Sequence, residues 1–296
     1  MLLGIMASAA LVATSAAPAA AIKYGEADDG EHPYVGLVIL YVETPVDTDG
    51  DGEADDTELQ ADSRCTGTQM DADTFLTAGH CVSGIDAAAV WYGDDLQDVR
   101  ASLEFLTFDE AIDQDSEFDA DAWSADLELH PLYDDGLFLQ HDSAVLDNMT
   151  LAEGTSFETY GQLPEQGYWD EQLGSRKKDR DAYTTVGYGL QWSTPPSNGQ
   201  GRGDQADWLK LKAGGELLGN KQFFGGKLGD AFVVLSSNAN TGGTCFGDSG
   251  GPTFVRDTSV VVGLTSFGVN TTCAGTSGVY RIDAADDLEW LSTFID

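Results

Sequence analysis

Short runs of apolar and β-branched residues, separated by polar turns, make up most of the chain. Residues 32–42 (HPYVGLVILYV) have the nearly continuous apolar pattern of a buried strand. Further strands are predicted at 74–76, 87–92, 99–108, 138–146, 182–188, 231–236, 252–255, 260–267 and 279–282. Leu288, Leu291 and Ile295 recur at helical spacing, so 284–295 is predicted to be a helix. This pattern predicts an all-β fold, either a sandwich or a pair of barrels.

The segments between these strands are polar and rich in acid, and 43–63 and 109–125 are predicted to be loops. Within 43–63 the spacing D-x-D-x-D-G-x5-E matches a calcium-binding loop. Its carboxylates, which predict a structural calcium site, are Asp47, Asp49, Asp51 and Glu58. The alternative is a solvated acidic loop, because no helices are evident on either side.

The first 22 residues carry no charged side chain, and residues 2–12 form an apolar run. Ala19 and Ala21 place small residues at the two positions that a signal peptidase reads. We therefore predict a signal peptide at 1–21, a mature chain that starts at Ile22, and a secreted protein. The basic segment that usually begins a signal peptide is absent, and an uncleaved anchor is the alternative. No later apolar run is long enough to span a membrane.

Composition excludes several classes of partner. The chain has 51 acidic and 14 basic residues and a net charge of −37, so nucleic acid and anionic lipid are excluded as partners. A hydrophobic content of 42% still favours a folded protein over disorder. High Asp with low Lys is typical of proteins from extreme halophiles, and the alternative is an ordinary acidic secreted protein. The length of 296 residues allows one large domain or two medium ones.

Three segments together carry the pattern of a catalytic serine. They are TAGHC at 77–81, HDSAVL at 141–146 and GTCFGDSGGP at 243–252. A serine hydroxyl needs a base within hydrogen-bond reach, and the base needs an acid to orient it. The chain order His, Asp, Ser is one known order for such a triad, and it differs from that of the α/β-hydrolase esterases. A phosphate-binding loop is excluded because no Lys follows the glycines.

These motifs resemble those of the chymotrypsin/trypsin-like secreted serine proteases, and the resemblance extends from about Ile22 to the end of the chain. It implies two packed six-stranded antiparallel β-barrels with a C-terminal helix. The first barrel would span 22–155 and the second 156–296, together forming one peptidase domain. The acidic composition and the lack of disulfides common in animal members are typical of a prokaryotic, haloarchaeal-like member.

By the same resemblance, Ser249 is the nucleophile, His80 the general base and Asp142 the residue that orients it. The backbone N–H groups of Gly247 and Ser249 would form the oxyanion hole, which stabilises the negative oxygen of the transition state. The resemblance also gives the specificity pocket, with its base at Gly243. The other pocket residues are Thr244, Ser266, Phe267, Gly268 and Gly278.

By the same resemblance, an Asp at position 243 would mark cleavage after Arg or Lys, and the Gly found there implies a preference for large apolar side chains instead. The four cysteines allow three pairings. The resemblance selects one of them, Cys65–Cys81 with Cys245–Cys273. Zinc binding is disfavoured because no C-x-x-C spacing occurs.

The resemblance further implies that a new amine on Ile22 inserts into the fold and pairs with Asp248. The sequence therefore predicts a secreted, monomeric serine endopeptidase that acts through an acyl-enzyme on protein or peptide substrates. No cofactor is required for this activity, and the calcium at the acidic loop would be structural. The alternative is an inactive relative used as a binding or adhesive module. Such relatives usually lose a triad residue, whereas this chain has all three.

Overall fold

The computed structural model describes residues 22–97, 100, 106–115, 118–137, 140–194, 203–220 and 230–295. The predicted signal peptide, 1–21, lies outside these residues, as does most of the predicted strand at 99–108. Residues 138–139 of another predicted strand also lie outside them. None of the helices in the described ranges is long and apolar enough to cross a membrane.

Strands account for most of the described elements. Those that precede residue 160 are β1 (Glu26–Ala27), β2 (Val35–Val46), β3 (Asp56–Gln69), β4 (Phe75–Thr77), β5 (Ala87–Trp91), β6 (Ala122–Ser124), β7 (Asp126–Leu129), β8 (Ala144–Asp147) and β9 (Thr150–Leu151). Those that follow it are β10 (Tyr183–Gly187), β11 (Trp192–Thr194), β12 (Gly203–Gln205), β13 (Leu211–Gly215), β14 (Leu217–Gly219), β15 (Phe232–Ser237), β16 (Pro252–Val255), β17 (Val261–Gly268) and β18 (Gly275–Arg281). The α-helices are α1 (Gly79–Val82), α2 (Phe108–Ile112), α3 (Tyr168–Gly174) and α4 (Ala285–Leu291).

The strands form two antiparallel sheets of eight strands and a separate β11–β12 hairpin. The first sheet has the order β7-β8-β4-β3-β2-β5-β6-β9, and the second has the order β1-β13-β10-β16-β17-β18-β15-β14. The predicted all-β fold with a C-terminal helix is therefore confirmed. Each sheet has eight strands rather than the predicted six, because short edge segments such as β9 and β14 also pair.

The chain crosses between the two sheets at both ends of the described part. β1 precedes the first sheet in sequence but pairs with β13 of the second, where Glu26 lies opposite Lys212. α4 follows the second sheet but packs its Leu291 into a core cluster with Leu76 and Val145 of the first. The Thr74 hydroxyl donates to the carbonyl of Phe294 at 3.0 Å, just beyond α4. Both crossings join the two halves of the molecule.

The acidic segment at 43–63, predicted to be a loop, is instead most of a long hairpin. β2 and β3 pair without interruption from Val35–Thr68 to Val46–Asp56, with one register shift near Leu40. The side chains of its outer part are half-buried or exposed rather than buried, so this part lacks the continuous apolar pattern of a core strand. The predicted end of the strand at 99–108 is also wrong. Residue 108 begins α2, where Thr107 and Glu110 form a capping box.

Candidate active site

Strand pairing brings His80 and Asp142 together. β4 and β8 are neighbours, with Thr77 opposite Ala144, so the residues just after β4 and just before β8 lie at the same edge of the sheet. His80 lies in α1, which follows β4, and Asp142 precedes β8 by two residues. The pairing of β4 with β8 therefore brings these two residues together, although they are 62 positions apart in the sequence.

Asp142 is fully buried, and its carboxylate is held from several sides. His80 Nδ1 lies 2.9 Å from its Oδ2, and the His80 backbone N–H donates to its Oδ1 at 2.9 Å. The Ser266 hydroxyl donates to Oδ2 at 2.5 Å. A carboxylate can only accept hydrogen bonds, so Nδ1 of a neutral His80 carries the ring proton. Nε2 is then the nitrogen with a lone pair, as a general base requires.

Ser249 lies in a turn that is fixed between the two sheets. The Thr66 N–H donates to the Ser249 carbonyl at 2.8 Å, and the Thr66 hydroxyl donates to the Gly247 carbonyl at 2.9 Å. Gly247 has a φ of +96°, a backbone conformation that favours glycine. Within the described part of the chain, neither the Gly247 N–H nor the Ser249 N–H has an intramolecular acceptor. Both groups therefore remain available to a bound oxygen.

A cavity of about 310 Å³ connects these groups. His80 and Ser249 line it together with four of the predicted pocket residues, Thr244, Ser266, Phe267 and Gly268. Its remaining lining residues are Cys245, Phe246, Thr265 and Cys273. The structure thus brings the predicted base, the predicted nucleophile and part of the predicted pocket to one cleft.

Two of the predicted pocket residues do not line this cavity. A side chain at Gly243 would overlap Ser237, and one at Gly278 would overlap the ring of Phe267. Both glycines are fully covered, and Phe267 occupies the space that a glycine at 278 was expected to leave open. Phe246 was not predicted, although its side chain lines the cavity and is 44% exposed.

Asp248, which precedes Ser249, is buried among backbone donors. It accepts from the N–H of Gly189 at 2.7 Å and from that of Cys245 at 2.8 Å. Burial raises the pKa of the Asp248 carboxyl to about 7, although these two hydrogen bonds and the charge of Arg64 each lower it. The carboxylate form is therefore poorly stabilised in the chain as it stands.

Ile22 is fully buried and packs with Leu211 and Ala213. The next residue, Lys23, accepts at its carbonyl from the Gly243 N–H at 3.0 Å. This places the segment beside residues 243–251, the loop of the predicted nucleophile Ser249, called the nucleophile loop below. Among the described residues, no hydrogen bond or ion pair joins Ile22 to Asp248. The predicted pairing of these two residues stays a prediction.

The two predicted disulfides, Cys65–Cys81 and Cys245–Cys273, are confirmed. The first joins β3 to α1, the helix that carries His80. The second joins the nucleophile loop to the segment before β18, so both of its cysteines line the cavity. Each bridge therefore fixes one side of the cleft.

The predicted calcium ligands are only partly gathered. Asp47, Asp49 and Asp51 lie at the tip of the β2–β3 hairpin, with ligand oxygens within 4.8 Å of one another. Glu58 lies outside that group, on β3 opposite Thr44. Asp47 accepts hydrogen bonds from the N–H groups of Gly50 and Gly52. Strands rather than helices flank this loop, and calcium binding stays a prediction.

Comparisons with known proteins agree with this fold. A family model described as Trypsin matches residues 54–290. Among solved structures, HL collagenase is 18% identical with a TM-score of 0.58, and the match covers 93% of this chain and 97% of that one. Heparin binding protein (HBP) is 18% identical with a TM-score of 0.57, and the match covers 92% and 96% of the two chains. A mutant of the human form of that protein is 16% identical with a TM-score of 0.56 over 91% and 94%. No curated protein matches significantly. At these identities the solved structures show a shared fold.

Proposed function

Because the chain belongs to the trypsin family, we propose that it is a secreted serine endopeptidase whose triad is Ser249, His80 and Asp142. The observation that carries the proposal is the buried Asp142 carboxylate bonded to His80 Nδ1 at 2.9 Å, in a cleft that His80 shares with Ser249. This pair leaves Nε2 of His80 as the base on the side of the cleft. Catalytic serine hydrolysis needs that arrangement.

The first half of the reaction forms an acyl-enzyme. His80 Nε2 takes the proton from the Ser249 hydroxyl as its oxygen attacks the carbonyl carbon of the substrate. The carbonyl oxygen becomes an oxyanion, which accepts from the N–H groups of Gly247 and Ser249. The tetrahedral intermediate collapses when His80 gives the proton to the leaving amine, and the peptide bond breaks. Asp142 stabilises the imidazolium that exists between these two transfers.

The second half repeats these steps with water. His80 takes a proton from the water molecule, whose oxygen attacks the acyl carbon, and the same N–H groups hold the second oxyanion. Collapse returns the proton to Ser249 and releases the carboxylic acid product. The chain's own side chains supply every proton transfer, so the proposed cycle requires no cofactor.

The lining of the cavity supports a preference for large apolar side chains. Phe246, Phe267 and the Cys245–Cys273 bridge form apolar walls, and no Asp or Glu is among the lining residues that the structure describes. A substrate Arg or Lys would find no opposite charge there, and burying its charge unpaired is costly. We therefore expect cleavage after residues such as Phe, Tyr, Leu or Met in protein and peptide substrates.

We propose that activation follows release of the Ile22 amine. Ile22 is buried beside the nucleophile loop, and Asp248 is a buried carboxylate whose hydrogen-bond partners among the described residues are the backbone N–H groups of Gly189 and Cys245. A charged amine close to Asp248 would favour its carboxylate form and hold the Gly247–Ser249 turn in place. An inactive binding module is the alternative function, and it predicts no turnover by the mature chain.

Replacing the nucleophile tests the proposed function. Ser249→Ala in the mature chain should lower kcat on casein or an apolar peptide by a factor on the order of 10⁴ or more. The matched control is Ser292→Ala, at the end of α4, whose hydroxyl bonds the Leu288 carbonyl of the same helix. A fluorophosphonate should label the parent and the control at Ser249 but leave Ser249→Ala unlabelled. Parent-like turnover by Ser249→Ala would reject the triad, and an inactive parent would favour the binding module.

A further inference from the structure

The turn that delivers Asp142 is strained at the preceding residue. His141 has a φ of +54°, in the left-handed region that residues other than glycine rarely adopt. The Ser143 N–H closes the turn by donating to the His141 carbonyl at 2.8 Å. Such strain persists only when surrounding contacts hold it. The contacts around His141 therefore decide where the Asp142 carboxylate points.

His130 contacts both sides of this turn. Its ring stacks on the His141 ring, with centroids 4.6 Å apart and planes 13° apart. Its backbone N–H donates to the Ser143 carbonyl at 3.1 Å. His130 is only 3% exposed, and its Nδ1 accepts from the Leu132 N–H at 3.2 Å, which fixes the ring in its own loop. His130 thus connects the residues before and after Asp142 to a buried anchor.

α4 packs against the outer side of this pair. Trp290 lies edge-on to the His130 ring, with centroids 4.9 Å apart. Asp287 Oδ1 is 3.8 Å from His130 Nε2, and Asp286 Oδ2 is 3.9 Å from His141 Nδ1. These separations are too long for hydrogen bonds, yet they give both rings acidic neighbours. The helix therefore covers the outer side of the stacked pair and leaves the contact between the two rings intact.

The same group could be mistaken for a metal site. His130, His141 and Asp287 offer ligand atoms within 4.8 Å of one another. However, nearly parallel stacked rings direct their nitrogen lone pairs along parallel planes, and tetrahedral coordination needs them to converge on one point. The arrangement suits ring stacking better than shared coordination.

We propose that His130 and His141 are positioning residues of the triad, and that their stack, covered by α4, holds the strained turn that aims Asp142 at His80. The proposal rests on the proposed function, because it assigns a catalytic effect to a support outside the cleft. Small misplacement of a catalytic group by a distant change lowers rates by up to about a hundredfold. The expected signature is therefore a loss in kcat with little change in KM.

Two pairs of variants separate stacking from other roles. His130→Ala removes the stack and should lower kcat by roughly tenfold to a hundredfold. His130→Phe keeps an aromatic ring in the same place and should recover most of that loss. His141→Ala should lower kcat by a factor similar to that of His130→Ala. His141→Gly should also lose kcat even though glycine relieves the backbone strain.

The matched control is Asp257→Ala, in the turn between β16 and β17. Asp257 also has a positive φ, +62°, and follows β16 at the end opposite to the Ser249 turn, so alanine there raises backbone strain without touching the stack. It should lower the thermal midpoint and leave kcat unchanged. All rates are measured well below the midpoints, on enzyme counted by fluorophosphonate titration.

A readout independent of turnover is the low-field proton NMR signal of the His80 Nδ1–H bonded to Asp142. It should be present in the parent and in His130→Phe, and weakened or lost in His130→Ala. Unchanged kcat and an unchanged signal in both alanine variants would overturn the proposal, as would His130→Phe behaving like His130→Ala. An inactive parent, or an active Ser249→Ala variant, would instead reject the proposed function, and the NMR signal would still decide whether the stack positions Asp142.

Discussion

Asp248 combines full burial with a negative charge that the chain must stabilise. Its native pKa of about 7 lies above the ordinary value of 3.8, mainly because of burial. The folded state therefore holds a proton that the unfolded state has already released between about pH 4 and pH 7. It follows that the contribution of Asp248 to stability is most favourable below about pH 4. That contribution declines as the pH rises through 7, by up to about 4 kcal/mol.

The fall in stability with rising pH gives a prediction for the precursor, in which the nitrogen of Ile22 is still an amide. In an inactive Ser249→Ala background, the thermal midpoint should fall between pH 5 and pH 8 more steeply than in Ser249→Ala/Asp248→Asn. We expect the fall in thermal midpoint over this range to differ between the two proteins by several degrees. The slope is the readout, because Asn at 248 also loses one of the two acceptors for Gly189 and Cys245.

The control is the mature form of the same inactive protein. If its free Ile22 amine pairs with Asp248, the carboxylate is stabilised and the slope should become shallower. Equal slopes in the precursor and in its Asn variant would mean that Asp248 does not titrate in this range. An unchanged slope in the mature form would count against the pairing with Ile22.

The residues of the candidate site differ in how far the sequence could predict them. His80 and Ser249 lie in motifs whose neighbours are constrained locally, such as Gly247, so their placement could be inferred. Ser266 was predicted as a pocket residue, but its hydroxyl bonds Asp142 across 124 positions of sequence. The stack of His130 on His141 likewise contacts Trp290 of α4, which is distant in sequence. No local pattern encodes contacts of this kind.

The elements were predictable where the pattern reflects burial on a core. β16, with bounds 252–255, matches its prediction because its side chains are largely buried. The outer part of the β2–β3 hairpin was missed because β2 alternates there only between half-buried and exposed positions, β3 does not alternate, and many of the side chains are acidic. α3 was missed inside a polar segment because only Trp169 and Gln172 are buried on its inner face.

The two disulfides support different elements, and this gives a prediction at that scale. Removing Cys65–Cys81, as Cys65→Ala/Cys81→Ala, frees α1, a helix of only four residues that carries His80. The loop spans 16 residues, so we expect a loss of about 3 kcal/mol in unfolding free energy, together with a marked fall in kcat. Chemical denaturation and steady-state kinetics measure both effects.

The comparison is Cys245→Ala/Cys273→Ala, whose loop spans 28 residues and should have a similar effect on stability. Because both of these cysteines line the cavity, their loss should raise KM for apolar peptides more than the loss of Cys65–Cys81 does. Identical changes in kcat and KM for the two pairs would mean that neither bridge supports a particular side of the cleft.

The chain carries a net charge of −37 and has only 14 basic residues, some of which are buried rather than on the acidic surface. Lys210 is 1% exposed at the junction of the two sheets. Its ammonium group donates to the Tyr92 carbonyl at 2.9 Å and lies 3.1 Å from Asp94 Oδ1. Lys23 and Arg281 are buried as well, but these few buried cations cannot offset the repulsion among the acidic side chains on the surface. Their mutual repulsion must therefore be screened by the solvent.

We accordingly predict that stability depends on salt. The thermal midpoint should rise from 0.05 M to 2 M NaCl, because the Debye length falls to roughly 3 Å at 1 M and the repulsion is screened. Sucrose at matched osmolality is the control, since it favours compact states without screening charge. A midpoint that is independent of NaCl, or one that rises equally in sucrose, would contradict this origin of stability.

The crossing of the chain between the two sheets also sets an order of events on the ribosome. β1 emerges early, but its partner strand β13, which begins at Leu211, is synthesised much later. α4 emerges after every described strand of both sheets, and it is the helix that covers the turn before Asp142. On the proposed function, a nascent chain therefore carries His80 and Asp142 long before they can act together. Ser249 and α4 both follow these two residues in the chain, so on the proposed function the cleft cannot act before the second sheet and α4 have packed against the first sheet.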